Sequence, residues 1–401
     1  MVGPEADVAH QGLRDTVYHL ASIHRPSASA GEREAAEWIA ARFRDAGCTV
    51  DIEEERAHGT YWWPVGLLTA IAAVGGVVSL LRSRLVGVVL GGLAAAGIAD
   101  DIDSGKHVLR HAVLPYHPTW NVIAEAGDAG ADRTLVVMAH HDAAHSGLVF
   151  HQGPQKWVWK NHPERIASMN EGVPFWFLVI GGPLLVALGS LLRIRWLVRV
   201  GTVLAAGSTA AMVDIGTRET VPGANDNLTA VAVQVELARR LQREPLAGLR
   251  VLLVSAGSEE SLQEGIIAFA RRHFDELPHG RTWFFNLDTV GSPNLHLVEG
   301  EGVLSMRMYD ATLKEMVMAA AADAGVTLAR GGRARASTDA VVPMKAGYPA
   351  ALLTSLTEWK ALANYHWPTD TADNVDFNAV ADAARLTEAL ARRMATAGSG
   401  S

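Results

Sequence analysis

Four uninterrupted apolar stretches restrict this chain more than any other feature. Trp62 to Leu81 reads WWPVGLLTAIAAVGGVVSLL, without one charge, and after Arg82-Ser83-Arg84 a second run, LVGVVLGGLAAAGIA, continues to Ala99. The pattern recurs from Pro174 to Leu192 (PFWFLVIGGPLLVALGSLL), turns at Arg193-Ile194-Arg195, and resumes from Trp196 to Val213. Roughly 20 apolar residues in a helix span the hydrocarbon core of a bilayer, whereas runs of about 15 also occur as core helices of large soluble folds. Two similar hairpins filling gaps in an otherwise soluble pattern favour the membrane. The chain is therefore read as carrying two transmembrane hairpins, over 62–99 and 174–213, each turning at an Arg-x-Arg loop. Trp62, Trp63, Trp157, Trp159, Trp176 and Trp196 sit at or near the ends of these stretches, where indole rings favour the headgroup region.

Four spans return the chain to the side it started from, so both termini and all soluble parts share one face of a cell membrane. Two cues for sidedness conflict. The Arg-x-Arg loops, by the positive-inside rule, belong in the cytoplasm. Against this, residues 1–61 carry six arginines and lack the pattern of a signal peptide, so they would have to cross unaided. The working expectation is a multi-pass protein of the cell membrane with its soluble part on the cytoplasmic face.

Composition narrows the chemistry. The 401 residues carry a net charge of −8, and no Arg/Lys cluster is interleaved with aromatics, which excludes nucleic acid as a partner. Cys48 is the only cysteine, so no internal disulfide and no cysteine-rich zinc site can form. Any metal must be held by His, Asp and Glu.

With the hairpins cut out, residues 1–61, 100–173 and 214–395 read as one α/β unit, and 396–401 as a Gly-Ser tail. Ser27 to Asp45 places Ala35, Ile39, Ala40 and Phe43 at helical spacing before Gly47. Strands are expected at 49–54, 120–125, 135–139, 250–255, 282–287 and 349–353, and helices at 230–243, 265–274, 309–324 and 376–394. Alternating apolar strands and amphipathic helices make a mixed central sheet flanked by helices.

Residues with chemical potential fall just after these strands, where α/β sheets bind ligands. His140 ends one strand, and Asp142 two residues on is placed to accept the second N–H of its imidazole. Pro222 to Asn227 is a polar turn opening a helix, Glu259-Glu260 follows RVLLVS, Asp288 follows TWFFNL, and His366 lies in a turn-rich loop. Singly, each has an ordinary reading: an Asp before a helix is usually a cap, and paired glutamates usually a solvated face. Together, two histidines and three carboxylates, with a spare glutamate beside one of them, suit two zinc ions bridged by one carboxylate.

In these motifs the chain resembles the zinc aminopeptidases and carboxypeptidases of peptidase family M28. The resemblance rests on Ala139-His140-His141-Asp142, Pro222 to Asn227, Glu259-Glu260, Asn286-Leu287-Asp288 and Tyr365-His366. It implies a zinc exopeptidase fold in which His140 and Asp288 hold one zinc, Glu260 and His366 the other, and Asp226 bridges both. Glu259 would be the general base, and Tyr365 a candidate to stabilise the oxyanion. The chain departs from the family at Leu262, where a glycine is usual, and at Thr338-Asp339-Ala340 in place of Ser-Asp-His.

The second hairpin lies between His140 and Asp226, whose loops must converge on the metals, so its root must approach the cleft. The expected function is a membrane-embedded dizinc exopeptidase, an aminopeptidase first, acting on peptides that are hydrophobic or lipidated. A glutaminyl cyclase or a non-peptide amide hydrolase on the same fold is the enzymatic alternative, and a non-catalytic membrane scaffold the other. Residues 150–171 are either a lid or interfacial rim or a disordered linker. The sequence does not fix the oligomeric state.

Overall fold

The computed structural model describes residues 4–397 except 104 and 173. In chain order the elements are α1 (Pro4–Ala21), α2 (Ala30–Asp45), β1 (Thr49–Ala57), α3 (Trp62–Leu81), α4 (Arg84–Ile102), α5 (Val108–Val113), β2 (His117–Gly127), β3 (Thr134–His140), α6 (Gly153–Asn161), α7 (Pro163–Ser168), α8 (Phe175–Leu192) and α9 (Arg195–Thr217). They continue with α10 (Thr229–Arg243), β4 (Arg250–Ala256), α11 (Glu264–His273), β5 (Thr282–Leu287), β6 (Asn294–Glu301), β7 (Arg307–Met308), α12 (Ala311–Asp323), β8 (Ala329–Ala334), α13 (Val341–Lys345), β9 (Ala350–Leu356) and α14 (Phe377–Thr396). The tail expected at the C-terminus lies, from residue 398, outside the described residues.

Nine strands form one mixed sheet in the order β1-β2-β4-β3-β5-β9-β6-β7, with β8 on β6. At its centre β4, β3, β5 and β9 run parallel, and every residue of β3 is buried. Successive strand side chains point to opposite faces, and β3 shows the result. Leu135, Val137 and Ala139 enter the core under α1, α2, α10, α12 and α14, while Val136 and Met138 enter a second core with Phe269, Phe284 and Tyr348. The strands β6, β7 and β8 were not anticipated. β6 and β8 carry glycines, β8 reads ARGGRA, and neither shows the branched apolar run that marks the central strands.

The four apolar stretches form a separate bundle. Helices α3, α4, α8 and α9 pack in a ring, and α4 and α9 run a turn or less beyond the apolar stretches, to Ile102 and Thr217. Each is long and apolar enough to cross a membrane. Lipid gives no hydrophobic drive between helices, so close approach through small residues has to hold such a bundle. A Cβ on Gly201 would meet Gly182 O and Val186 N at 2.7 Å, and one on Gly91 would meet Pro183 O and Ala187 N at 2.8 Å. Ser79 and Ser190 hydroxyls meet at 2.6 Å, and Thr69 and Thr209 at 3.0 Å. Outward, Val74, Leu81, Leu85, Leu93, Leu191 and Val203 are all more than half exposed.

Gly201→Leu is therefore expected to destabilise the bundle by about 2 kcal/mol or more, since overpacking against backbone costs roughly 1–3 kcal/mol. Gly207→Leu, where no atom lies within 4 Å of an added Cβ, is expected to be neutral. Thermal unfolding of both variants in detergent checks the contrast; equal melting temperatures would show that the helices do not pack this way.

Both hairpins leave from the edge of the site. The first interrupts the connection between β1 and β2, whose antiparallel register nevertheless runs from Thr49↔Glu125 to Ala57↔His117. The second leaves through two paired segments, with Ser146 N donating to Glu219 O at 3.0 Å and Val221 N to Ala144 O at 2.9 Å. Residues 150–171 are no disordered linker: α6 and α7 dock on the loop before His366. Gln155 Nε2 donates to Trp359 O at 2.9 Å, and Lys360 Nζ to Ala167 O at 2.7 Å.

Candidate metal centre

Strand ends and the turns after them build the centre. β3 delivers His140, the loop after β4 delivers Glu259 and Glu260, β5 delivers Asp288, the turn before α10 delivers Asp226, and the loop after β9 delivers His366. The turn at Asp226 depends on Gly223, whose φ of +58° disfavours a side chain and whose Cβ would meet Arg25 Nη2 at 2.7 Å.

The sequence-derived residues come together in two buried groups that share Asp226: His140, Asp226 and Asp288, and Asp226, Glu260 and His366, with one potential ligand atom from each within 4.8 Å of the others. A third grouping, His140 with Glu259 and Glu260, is equally close, so proximity alone does not separate ligand from base. His140 Nε2 lies 3.3 Å from Asp226 Oδ1, and His366 Nε2 lies 3.3 Å from Asp226 Oδ2 and 3.1 Å from Glu260 Oε2. Ligands about 2.0–2.1 Å from a tetrahedral zinc stand about 3.3 Å from one another, so this spacing fits the ion. Asp226 Oδ2 and Glu260 Oε1 are buried without a hydrogen bond, which also fits donors arranged for a cation.

Electrostatics point the same way. Burial alone would discharge His140, yet Asp142, Asp226 and Glu259 hold its imidazolium well above the ordinary range. His366, opposed by burial and supported by Glu260 and Asp226, is held up to about 10. Burial pushes Glu259 well above the usual carboxylate range; His140 opposes this, and Asp339, Glu260 and Asp288 add to it. Asp288 is pushed up to about 6 by burial and by Asp226. Asp226 is held below the usual carboxylate range, burial notwithstanding, by His140 and His366. A pocket with this many carboxylates calls for cations.

Asp142 sits 3.3 Å from His140 Nδ1 and accepts from Ser27 Oγ at 2.6 Å and from the backbone N–H groups of Glu259 and Glu260 at 3.1 Å each. It therefore links two of the converging loops as well as facing the imidazole. His141 turns away, with Nδ1 3.0 Å from Ser255 Oγ, and burial lowers it to about 4. His145 bonds Arg218 O at 2.8 Å and packs on Trp62, outside the metal groups. The Tyr365 ring stacks on His366 with centroids 3.8 Å apart. Burial and the charges of Asp226, Glu260 and Glu259 hold its phenol protonated.

Three further buried residues support the centre, and only Arg25 among them lies outside the motifs read from the sequence. Arg25 is fully buried and donates to His141 O at 2.8 Å, Pro222 O at 2.6 Å and Gly223 O at 2.8 Å, tying the His140 loop to the Asp226 turn. Asp370 accepts from Asn225 N at 2.8 Å and Asp226 N at 3.1 Å. Both carboxylate oxygens of Asp339 are buried without a partner, and burial pushes that acid up to about 7. Asp339 lies in the Thr338-Asp339-Ala340 departure, so that substitution falls at the site itself.

Beside it, Glu301 is fully buried and accepts from Thr338 N at 3.1 Å and Thr338 Oγ1 at 3.0 Å. Burial pushes its carboxyl up to about 8, so the native state keeps a proton that the unfolded chain releases near pH ~4.3. The stability from that proton is complete below the unfolded pKa and lost as pH rises to about 8. Glu301→Gln is thus expected to melt higher than wild type at pH 8–9 and alike near pH 5; a constant difference across that range would contradict the assignment.

Residues 210–391 match the sequence model of peptidase family M28. No curated protein matches the chain. Among solved structures, the fold is shared with BSAP, a zinc aminopeptidase from Bacillus subtilis, at 15% identity over 95% of this chain and 94% of that one, with a TM-score of 0.56. LapB from Legionella pneumophila is similar at 13% identity over 96% of this chain and 72% of that one, with a TM-score of 0.55. A glutaminyl cyclase from Bacteroides thetaiotaomicron is similar at 12% identity over 96% and 97%, with a TM-score of 0.53. At such identities the shared property is the fold. The matched segment holds Asp226, Glu259, Glu260, Asp288 and His366; over residues 210–391 the chain is similar to peptidase family M28, and its fold is that of the zinc aminopeptidases, which brings His140 to the same place.

Proposed function

We propose that the protein is a membrane-embedded dizinc exopeptidase that removes apolar residues from the N-terminus of peptides. The observation that carries this reading is the pair of three-residue groups joined at Asp226, with Glu259 beside them. His140 and Asp288 would hold one zinc, Glu260 and His366 the second, and Asp226 both. Bound zinc would supply a water of lowered pKa and polarise the scissile carbonyl. Glu259, 3.9 Å from His140 Nε2, takes the proton from the attacking water and returns it to the leaving amine. Gln263 Nε2 donates to Glu259 Oε1 at 3.1 Å and fixes that carboxylate's direction. Asp142 orients His140, and Tyr365, stacked on His366, would offer the developing oxyanion a hydrogen bond.

The apolar preference follows from the walls. The Phe150 ring stands edge-on to His366 with centroids 4.5 Å apart, and Phe150, Trp176, Leu262 and Leu304 all pack against the core of the helix bundle. Tyr61, at the start of α3, meets Trp176 at 5.8 Å. Phe150 thus joins His366 to the helix bundle. With the four apolar helices seated in a bilayer, these residues would lie near its surface, and a substrate with a hydrophobic or lipidated N-terminus would reach the site from the membrane.

Metal analysis combined with a screen of free, N-blocked and C-blocked peptides in detergent tests the proposal. Expected are two zinc ions per chain and cleavage of Leu- and Phe-initiated peptides that N-blocking abolishes. Cleavage of free and N-blocked peptides that C-blocking abolishes would reassign the enzyme to carboxy-terminal residues. Because the fold also serves a glutaminyl cyclase, Gln-initiated peptides belong in the screen: cyclisation without hydrolysis would overturn the peptidase reading.

A further inference from the structure

We propose that the first hairpin is the positioning element of the catalytic loop, and that Arg110 is the residue through which it acts. The inference rests on the function proposed above, because it concerns Glu259 as the general base.

The loop after β4 that carries Glu259 and Glu260 is held in an unusual backbone path. Ser258, Leu262 and Gln263 have φ of +49°, +73° and +58°, a region that costs a non-glycine residue roughly 1–2 kcal/mol. Such a conformation persists only where its surroundings over-determine it. Here the surroundings are the two roots of the first hairpin. From the end of α4, Asp101 receives a fork from Arg110, with Nε to Oδ1 and Nη2 to Oδ2 both at 2.9 Å. The remaining guanidinium nitrogen, Nη1, donates to Ser261 O at 2.5 Å and lies 3.6 Å from Glu264 Oε1. From the turn between β1 and α3, the backbone N–H groups of His58 and Gly59 donate to the Glu264 carboxylate at 2.9 and 3.0 Å, and Ser261 Oγ donates to it at 2.6 Å.

Every member is buried: Arg110 is 0% exposed, Asp101 3%, Ser261 0% and Glu264 6%. Charge-assisted hydrogen bonds in such a setting are stronger than neutral ones and fix geometry. Leu262 adds an apolar contact to the bundle core. The last link is direct, since Gln263 bonds the Glu259 carboxylate at 3.1 Å and is itself held by Ser337 O at 2.9 Å. A displacement of α3 and α4 relative to the sheet therefore moves Ser261 and Glu264, and through Gln263 the carboxylate that handles the proton. Arg110 touches neither substrate nor metal ligand; it is a positioning residue.

The test uses the full chain in detergent with its zinc in place, comparing wild type, Asp101→Asn, Arg110→Lys and Arg110→Ala. Asp101→Asn is expected to lower kcat about tenfold with KM within twofold and zinc content unchanged, and Arg110→Lys to retain more kcat than Arg110→Ala. Hydrogen exchange supplies a readout that needs no activity: amides 257–264 are expected to exchange faster in Asp101→Asn while those of β3 and β5 keep their protection. Unchanged kcat and unchanged exchange in Asp101→Asn would overturn the proposal. So would a loss of protection throughout the sheet, which would make the cluster a general stabiliser. If wild type cleaves no peptide yet amides 257–264 still respond alone, the positioning role stands and the peptidase assignment fails.

Discussion

Glu259→Gln is expected to lower kcat by about 10³-fold with little change in KM, because a general acid–base group contributes typically 10²–10⁴-fold and its amide cannot accept a proton. The substitution preserves volume and leaves the backbone bonds to Asp142 and the contact with Gln263 in place. It also removes a carboxylate whose ionisation is made costly by burial and by the neighbouring Asp339, Glu260 and Asp288. Folding and zinc content should therefore survive. Steady-state kinetics on a Leu-initiated peptide, with metal analysis of the same sample, decides the matter. Undiminished turnover would remove Glu259 from the reaction.

Asp226→Asn is expected to have an effect of similar size by a different route, reducing bound zinc to at most one ion per chain and peptidase activity to background. Asp226 is the one residue common to both buried groups, facing His140 through one oxygen and His366 through the other. An amide offers one oxygen and no charge, so it cannot bridge. A ligand present at a thousandfold its Kd adds ~4 kcal/mol to stability, so chelation should lower the melting temperature of wild type and shift the variant much less. Two zincs per chain in Asp226→Asn would refute the bridging role.

Much of the site was legible because its candidate ligands sit beside strand ends with distinctive local sequence. His140 closes an all-apolar strand, Asp288 follows another, and Asp226 and His366 lie in polar turns that no core would need. The supports were not legible for the opposite reason. Arg25 and Arg110 act on backbone atoms well over a hundred residues away, and nothing in their own neighbourhoods announces it. Phe150 and Tyr61 likewise read as ordinary aromatics until the fold sets the first edge-on to His366 and the second against Trp176. The departure at Leu262 gains a physical reason: the residue packs against helices that lie outside the α/β unit. The lateral strands β6 to β8 were missed because glycine and charge mask their alternation.

The placement of the hairpins also governs how the protein can be made. β1 meets β2 only after the first pair of helices has emerged, and His140 is separated from Asp226 by the second pair. A nascent chain interrupted at any stage before its last span is seated holds an incomplete sheet edge or half a ligand set. If the four helices are membrane spans, the site is complete only in a chain whose hairpins have both been inserted, so the order of translation would keep an unanchored chain from hydrolysing anything.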